Sequence, residues 1–246
     1  MQLTVTKTPL DEIRYFRNVF LHENNFQFTY DKCHLYGWAD TYAFIAGDVK
    51  VGYGSVWGKE KREDRDSIFE FFVIEPYRNL ADALFKEFQK ISSASFIECQ
   101  SNDMLLTTLL FQYTNNIGCE AILFEDHQQT DFVMPGVICR KKLVRHEEKN
   151  DRDVPYELLA GDVVVASGGM MLNYNMPYAD IYYGVDENHR QKGYGSYFLQ
   201  ELKKETYRMG RIPAARCNIN NTVSKRSLIK AGFRVCGFRL YGEIRK

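Results

Sequence analysis

The chain has 246 residues, with 32 Lys and Arg balanced by 32 Asp and Glu. That length suits two domains of about 100–150 residues, and 45% hydrophobic with 14% aromatic residues supplies their cores. A net charge of zero argues against a nucleic-acid partner, which leaves a basic excess, and no apolar run approaches the roughly 18 residues of a membrane span. The balance conceals an asymmetry: residues 1–136 hold 12 basic and 20 acidic side chains, a net −8, and residues 137–246 hold 20 and 12, a net +8.

In chain order, alternation and apolar runs predict strands at 3–5, 42–46, 49–57 and 68–73, with an amphipathic helix at 10–20. A helix follows at 80–91, with Leu80, Leu84, Phe88 and Ile91 on one stripe, then a strand at 96–100, a helix at 105–113 and a strand at 120–124. Pro135-Gly136 marks a boundary. Beyond it, 137–143 reads as a strand shared between the halves and 146–153 as a charged linker. Strands at 156–159, 163–172 and 178–185 precede a helix at 194–208, a strand at 212–217, a helix at 221–231 and two last strands. The opening residues lack a basic and then apolar leader, so a cytoplasmic protein is expected. Six cysteines without a C-x-x-C pair read as reduced thiols, with neither disulfides nor a metal site.

The two halves repeat. Ala46-Gly47-Asp48-Val49 recurs as Ala160-Gly161-Asp162-Val163, 114 residues later, and Val73-Ile74-Glu75-Pro76-Tyr77-Arg78 aligns with Val185-Asp186-Glu187-Asn188-His189-Arg190 at an offset of 112. Gly118 precedes Gly232 by 114. Three landmarks in one order and nearly one register indicate an internal duplication.

In the second copy Arg190, Gly193 and Gly195 form R-x-x-G-x-G between a strand and a helix. Glycines there let backbone N–H groups approach an anion at the positive end of the helix; taken alone, the same turn also serves as a plain loop. A second signature runs Asn221-Thr222-Val223-Ser224, then Leu228 and Ala231-Gly232-Phe233. Together the two motifs, over roughly residues 155–246, resemble the GNAT (Gcn5-related N-acetyltransferase) superfamily. The resemblance implies an α+β fold of two tandem GNAT-like domains, each a mixed, mainly antiparallel twisted sheet flanked by helices. Residues 1–136 are the degenerate copy, on the acceptor side, and 137–246 the acyl-CoA-binding catalytic copy.

It further implies acetyl-CoA or another acyl-CoA as co-substrate, held by Val185, Arg190, Gln191, Lys192, Gly193, Tyr194, Gly195 and Ser196 with Asn221 and Ser224. The acceptor would be a primary amine on a small molecule or peptide; no nucleic-acid or membrane partner is expected. Asn221 and Ser224 also suit a helix N-cap. In the first copy Ala81 and Ala83 replace the two glycines, and Asp82 adds a carboxylate where the donor's phosphates would sit. The second copy lacks the opening strand and helices of the first, which would then supply the roof over the acceptor.

Transfer requires a neutral amine, an oriented thioester and a stabilised oxyanion. Asp180 is the candidate base, with Tyr183 beside it as a catalytic neighbour, and the backbone at Val185 is the candidate support for the thioester carbonyl. Leu228 stands where the resemblance expects a tyrosine to protonate the departing thiolate, which shifts that role to another tyrosine such as Tyr174 or Tyr194. Cys217 at a strand end has no nearby histidine and reads as a packing residue. Two other functions fit the same motifs: a non-catalytic acyl-CoA sensing module, and a Fem-like aminoacyl transferase, against which the intact R-x-x-G-x-G and the neutral charge both count.

Overall fold

A computed structural model describes residues 1–23, 26–27, 31–143 and 152–245; most of the expected linker at 146–153 lies outside the described residues. The chain divides into two compact units, one running to Glu120 and regaining the chain from Phe238 onward, the other comprising Ala121–Gly237 with Gln27. The boundary expected at Gly136 falls inside the second unit.

In the first unit, β1 (Leu3–Thr8), β2 (Ala39–Ala46), β3 (Val49–Trp57), β4 (Ser67–Val73) and β5 (Phe96–Gln100) lie side by side. Beside β5 lies the end of the last strand, β12 (Phe233–Ile244), paired from Arg239 opposite Gln100 to Glu243 opposite Phe96. Every pairing is antiparallel except that of β4 with β5. The helices are α1 (Leu10–Glu23), α2 (Asp31–Leu35), α3 (Ala81–Ser92) and α4 (Met104–Tyr113). Phe44, Phe71, Phe85 and Phe88 fill the core beneath α3 with Leu106 and Leu110 of α4, and Ile13, Phe16 and Phe20 of α1 pack with Tyr53 and Phe72. Burial at that density supplies the main driving force for folding.

The second unit repeats this plan. Part of β6 (Thr114–Asp126), then β11 (Ile212–Asn218), β10 (Tyr178–Val185), β9 (Val163–Met171), β8 (Asp153–Ala160) and β7 (Val137–Lys141) are neighbours in that order. Again one pair is parallel, β10 with β11. Helices α5 (Tyr194–Arg208) and α6 (Thr222–Lys230) follow. Phe198, Leu199 and Leu202 of α5 pack with Leu228 and Phe233.

Three expectations need correction. The strand at 137–143 is not shared: β7 pairs with β8 inside the second unit as β1 pairs with β2 in the first, so the second copy does have an opening strand. The two last strands are one, β12, because twelve residues continue through Gly237 and Gly242 without a turn; at Gly242 the missing Cβ makes room for the Thr114 side chain.

Each unit buries a cluster of paired polar groups. In the second, Lys203 of α5 is almost wholly buried and reaches Asp126 Oδ1 at 2.5 Å, the Gln128 carbonyl at 2.7 Å and the Ala231 carbonyl at 2.9 Å. Gln200 brackets the Phe132 backbone, accepting from its N–H at 2.7 Å and donating to its carbonyl at 3.0 Å. These bonds fix one face of α5 against the connection leaving β6 and the end of α6.

In the first unit, Glu70 on β4 is fully buried and accepts from Arg17 of α1, Ser55 of β3 and the His34 ring of α2. Burial alone would raise its carboxyl; Arg17 and then His34 outweigh that and hold it well below the usual carboxylate range. Replacing Glu70 by alanine leaves Arg17 buried with its main partner gone, a change that costs about 3–5 kcal/mol. The urea-unfolding midpoint should fall accordingly, and a loss under about 1 kcal/mol, the level of a surface pair, would contradict this reading.

Asp103 caps α4, accepting from the Leu106 N–H at 3.0 Å, and its burial pushes the carboxyl up to about 7. A carboxyl raised on folding binds more protons folded than unfolded between about pH 4 and 7, so its contribution to stability falls as pH rises through that window. Asp103→Asn keeps the cap acceptor and should flatten this fall in denaturation midpoints measured across the window; an unchanged slope would refute the assignment.

Candidate active site

The site forms where β10 and β11 part. They pair in parallel only from Tyr178 opposite Ile212 to Ile181 opposite Ala215. Beyond that, β10 continues along β9 as far as Val185 opposite Ala166, and β11 continues along β6 to Asn218 opposite Ala121. The parted edges bound a wedge whose backbone polar groups have no ladder partner across it and suit an extended amide-bearing ligand.

After β10 the chain makes a tight turn into α5. Asp186 accepts from the Asn188 N–H at 3.0 Å, and a single 3₁₀ turn spans Glu187–His189. Arg190 Nε donates to the Val185 carbonyl at 3.3 Å, holding the turn back against the strand. Gln191 and Gly193 are both left-handed, at φ 63° and 84°. Gly193 is the N-cap of α5 and provides no side-chain acceptor, so the first-turn N–H groups, which have no intrahelical partner, point outward at the positive end of a 15-residue helix. A Cβ on Gly195 would lie 3.3 Å from the Tyr183 ring and 3.5 Å from Val185. The bare backbone therefore leaves open a space that a side chain would fill.

A cleft of about 670 Å³ opens there. It is lined by Tyr183, Gly184 and Val185 of β10, His189, Arg190 and Gln191 of the turn, Gly193, Tyr194, Gly195 and Ser196 of the α5 start, and Asn221, Val223, Ser224 and Ser227 around α6. Thus the structure brings together all the sequence-derived donor contacts except Lys192, whose Nζ turns back to the Asn188 carbonyl at 3.3 Å. Gly184, His189, Val223 and Ser227 were not singled out in the sequence. Ser227 lies one helical turn beyond Ser224, which helical spacing could have revealed; His189 carries no comparable signal.

Asn221 caps α6, its Oδ1 accepting from the Ser224 N–H at 2.9 Å. Ser224 Oγ lies 3.5 Å from the Tyr183 hydroxyl. Leu228, one turn further along α6, is only 1% exposed and belongs to the apolar core. Burial pushes the Cys217 thiol up, which disfavours the nucleophilic thiolate. Asp180 does not line the cleft: it is buried in the paired part of β10 with Oδ2 3.2 Å from Arg216 Nε, and Arg216 in turn bonds the Tyr174 hydroxyl.

The first copy has the same strand geometry but not the same helix terminus. β4 pairs with β5 only at Ser67 and Ile68, opposite Phe96 and Ile97. At the start of α3, however, Asp82 accepts from the Tyr113 hydroxyl and from Gln112 Nε2 at 2.8 Å, and pairs with Lys86 at 2.8 Å. The hydrogen bonds from Lys86 and Tyr113 lower its carboxyl below the usual range, and the Tyr113 ring stacks on Phe85 at 4.8 Å. A resident carboxylate with its own side-chain partners therefore stands in the first turn of α3, where the second copy has no acidic residue. Among the described residues no cluster of three or more His, Cys, Asp or Glu could hold a metal, and no helix is long and apolar enough to cross a membrane.

No family model and no curated protein matches the chain in sequence. Solved structures do match it over its whole length. An acetyltransferase of the GNAT family from Colwellia psychrerythraea superposes with a TM-score of 0.77 at 12% identity, covering 100% of each chain. A tandem GNAT protein from the clavulanic acid biosynthesis pathway gives 0.65 at 10% identity, covering 100% of this chain and 99% of its own. A GCN5-related N-acetyltransferase from Sphaerobacter thermophilus gives 0.62 at 15% identity over 99% and 96%. The chain therefore has the fold of the GNAT superfamily, in tandem.

Proposed function

We propose that this chain is an N-acyltransferase that moves an acetyl or other acyl group from acyl-CoA to a primary amine of a small molecule or peptide, the amine attacking directly in a ternary complex. The observation that carries this reading is the α5 terminus. Left-handed Gln191 and Gly193 turn backbone N–H groups toward a cleft of about 670 Å³ lined also by Tyr183, Gly184 and Val185, the end of β10 that has parted from β11. Such a terminus stabilises a pyrophosphate, and the parted edge of β10 offers backbone donors and acceptors to a pantetheine arm. Acyl-CoA supplies the activated carbonyl.

The chain's own residues bind and orient it. Arg190 braces the turn through the Val185 carbonyl, and the absent side chain of Gly195 admits the ligand beside Tyr183 and Val185. A lysine-like amine must lose its proton at a cost of roughly 4–5 kcal/mol at neutral pH. On this reading the proton passes to water, because Asp180 is ion-paired with Arg216 and does not line the cleft.

A second reading, a module that binds acyl-CoA without turnover, is favoured by one observation: Leu228 is a buried core residue that cannot donate a proton. Thiol release from acetyl-CoA in the presence of a panel of primary amines separates the two. Turnover should appear with at least one amine and fall by about 100-fold or more in Gly193→Asp, whose carboxylate competes for the terminus and whose Cβ strains the left-handed backbone. Tight acetyl-CoA binding without thiol release for any amine would support the sensing module, and no binding at all would sink both readings.

A further inference from the structure

We infer that Tyr183 is the general acid that protonates the departing thiolate, a role the usual α6 position cannot fill in this chain; the inference rests on reading the cleft as an acyl-CoA site. Five hydroxyls line the cleft, those of Tyr183, Tyr194, Ser196, Ser224 and Ser227, and their places along it differ. Tyr194 opens α5 and sits edge-on to His189, with ring centroids 6.3 Å apart, at the anion-binding end. Ser196 is turned to the Ser227 carbonyl at 3.4 Å.

Tyr183 is different. It lies two residues beyond Ile181, the last β10 residue paired with β11, so of the three β10 residues that line the cleft it is the one nearest the closed end of the wedge. Its ring passes under Gly195, and its hydroxyl reaches Ser224 on the first turn of α6 at 3.5 Å. That bond is long, so the hydroxyl is held near α6 without being committed to it. The phenol therefore arrives one helical turn short of Leu228, on the same helix, from the strand opposite.

The step balances as follows. The amine nitrogen bonds to the thioester carbonyl carbon, and the carbon–sulfur bond breaks with its electron pair passing to sulfur. Sulfur takes the proton of the Tyr183 hydroxyl, the surplus proton of the amine leaves to water, and the phenolate is reprotonated from solvent through the Ser224 hydroxyl.

Tyr183→Phe keeps the ring and removes only the oxygen, and the test needs no acceptor. Free CoA is bound to wild type and variant, and its thiol is titrated by the ultraviolet absorbance of the thiolate, corrected with desulfo-CoA. A hydroxyl aimed at the sulfur stabilises the thiolate, so the bound thiol should titrate about one pH unit higher in the variant, a tenfold change in its ionisation constant. Affinity for acetyl-CoA by calorimetry should stay within about threefold, since binding rests on the turn and not on this hydroxyl. The same midpoint in both proteins, with CoA bound, would overturn the assignment and leave the acyltransferase reading standing. Failure of the wild type to bind CoA would overturn both.

Discussion

The first turn of α5 imposes the constraint on which the site depends. Its N–H groups have no intrahelical acceptors, Gly193 gives them no side chain, and the positive end of fifteen aligned peptide units lies at the edge of a cleft. Such a terminus is satisfied by solvent or by an anion from outside. Much of the surrounding structure serves to hold it still: Arg190 ties the turn to β10, and further along α5 Gln200 and Lys203 are bonded to the Phe132 and Gln128 backbones and to the end of α6. A helix fixed in this way presents its N-terminus as a preorganised dipole, which costs nothing to reorient when ligand arrives.

The duplicated copy serves as an internal control. The sheet order and the single parallel pair are the same, and β4 parts from β5 as β10 parts from β11. The difference is local. Asp82, held by Tyr113, Gln112 and Lys86, places a carboxylate in the first turn of α3, and Ala81, whose N–H is bonded to the Arg78 carbonyl, is buried where Gly193 stands in the other copy. A resident carboxylate in the first turn of a helix suits the dipole and repels an external anion. The first unit also buries the Arg17–Glu70–His34 cluster in its interior, so its polar groups are committed to structure.

Much of this was legible in the sequence because it is local. The ranges of β3, β5, β10 and α5 follow from alternation or helical spacing that a short window contains, and Gly193 and Gly195 announce a turn by residue type alone. Asp82 at a helix start was equally readable. Other features depend on partners far apart in the chain. Asp180 looks like an available carboxylate until Arg216, 36 residues later, is found beside it. Lys203 carries no local signal of burial, yet it is buried because Asp126 and two carbonyls converge on it. The five residues of α2 are too few to show a period, and β12 reads as two strands because Gly237 and Gly242 look like breaks when at least Gly242 is a packing position.

One terminus free of acidic residues and one carrying a carboxylate give a stoichiometry that can be counted. Calorimetric titration of acetyl-CoA into the wild-type chain and into Gly193→Asp tests this directly. The account predicts one site per chain in the wild type and none in the variant. Two sites, or a single site that survives Gly193→Asp, would place the donor elsewhere, and no binding by the wild type would contradict the acyl-CoA assignment itself.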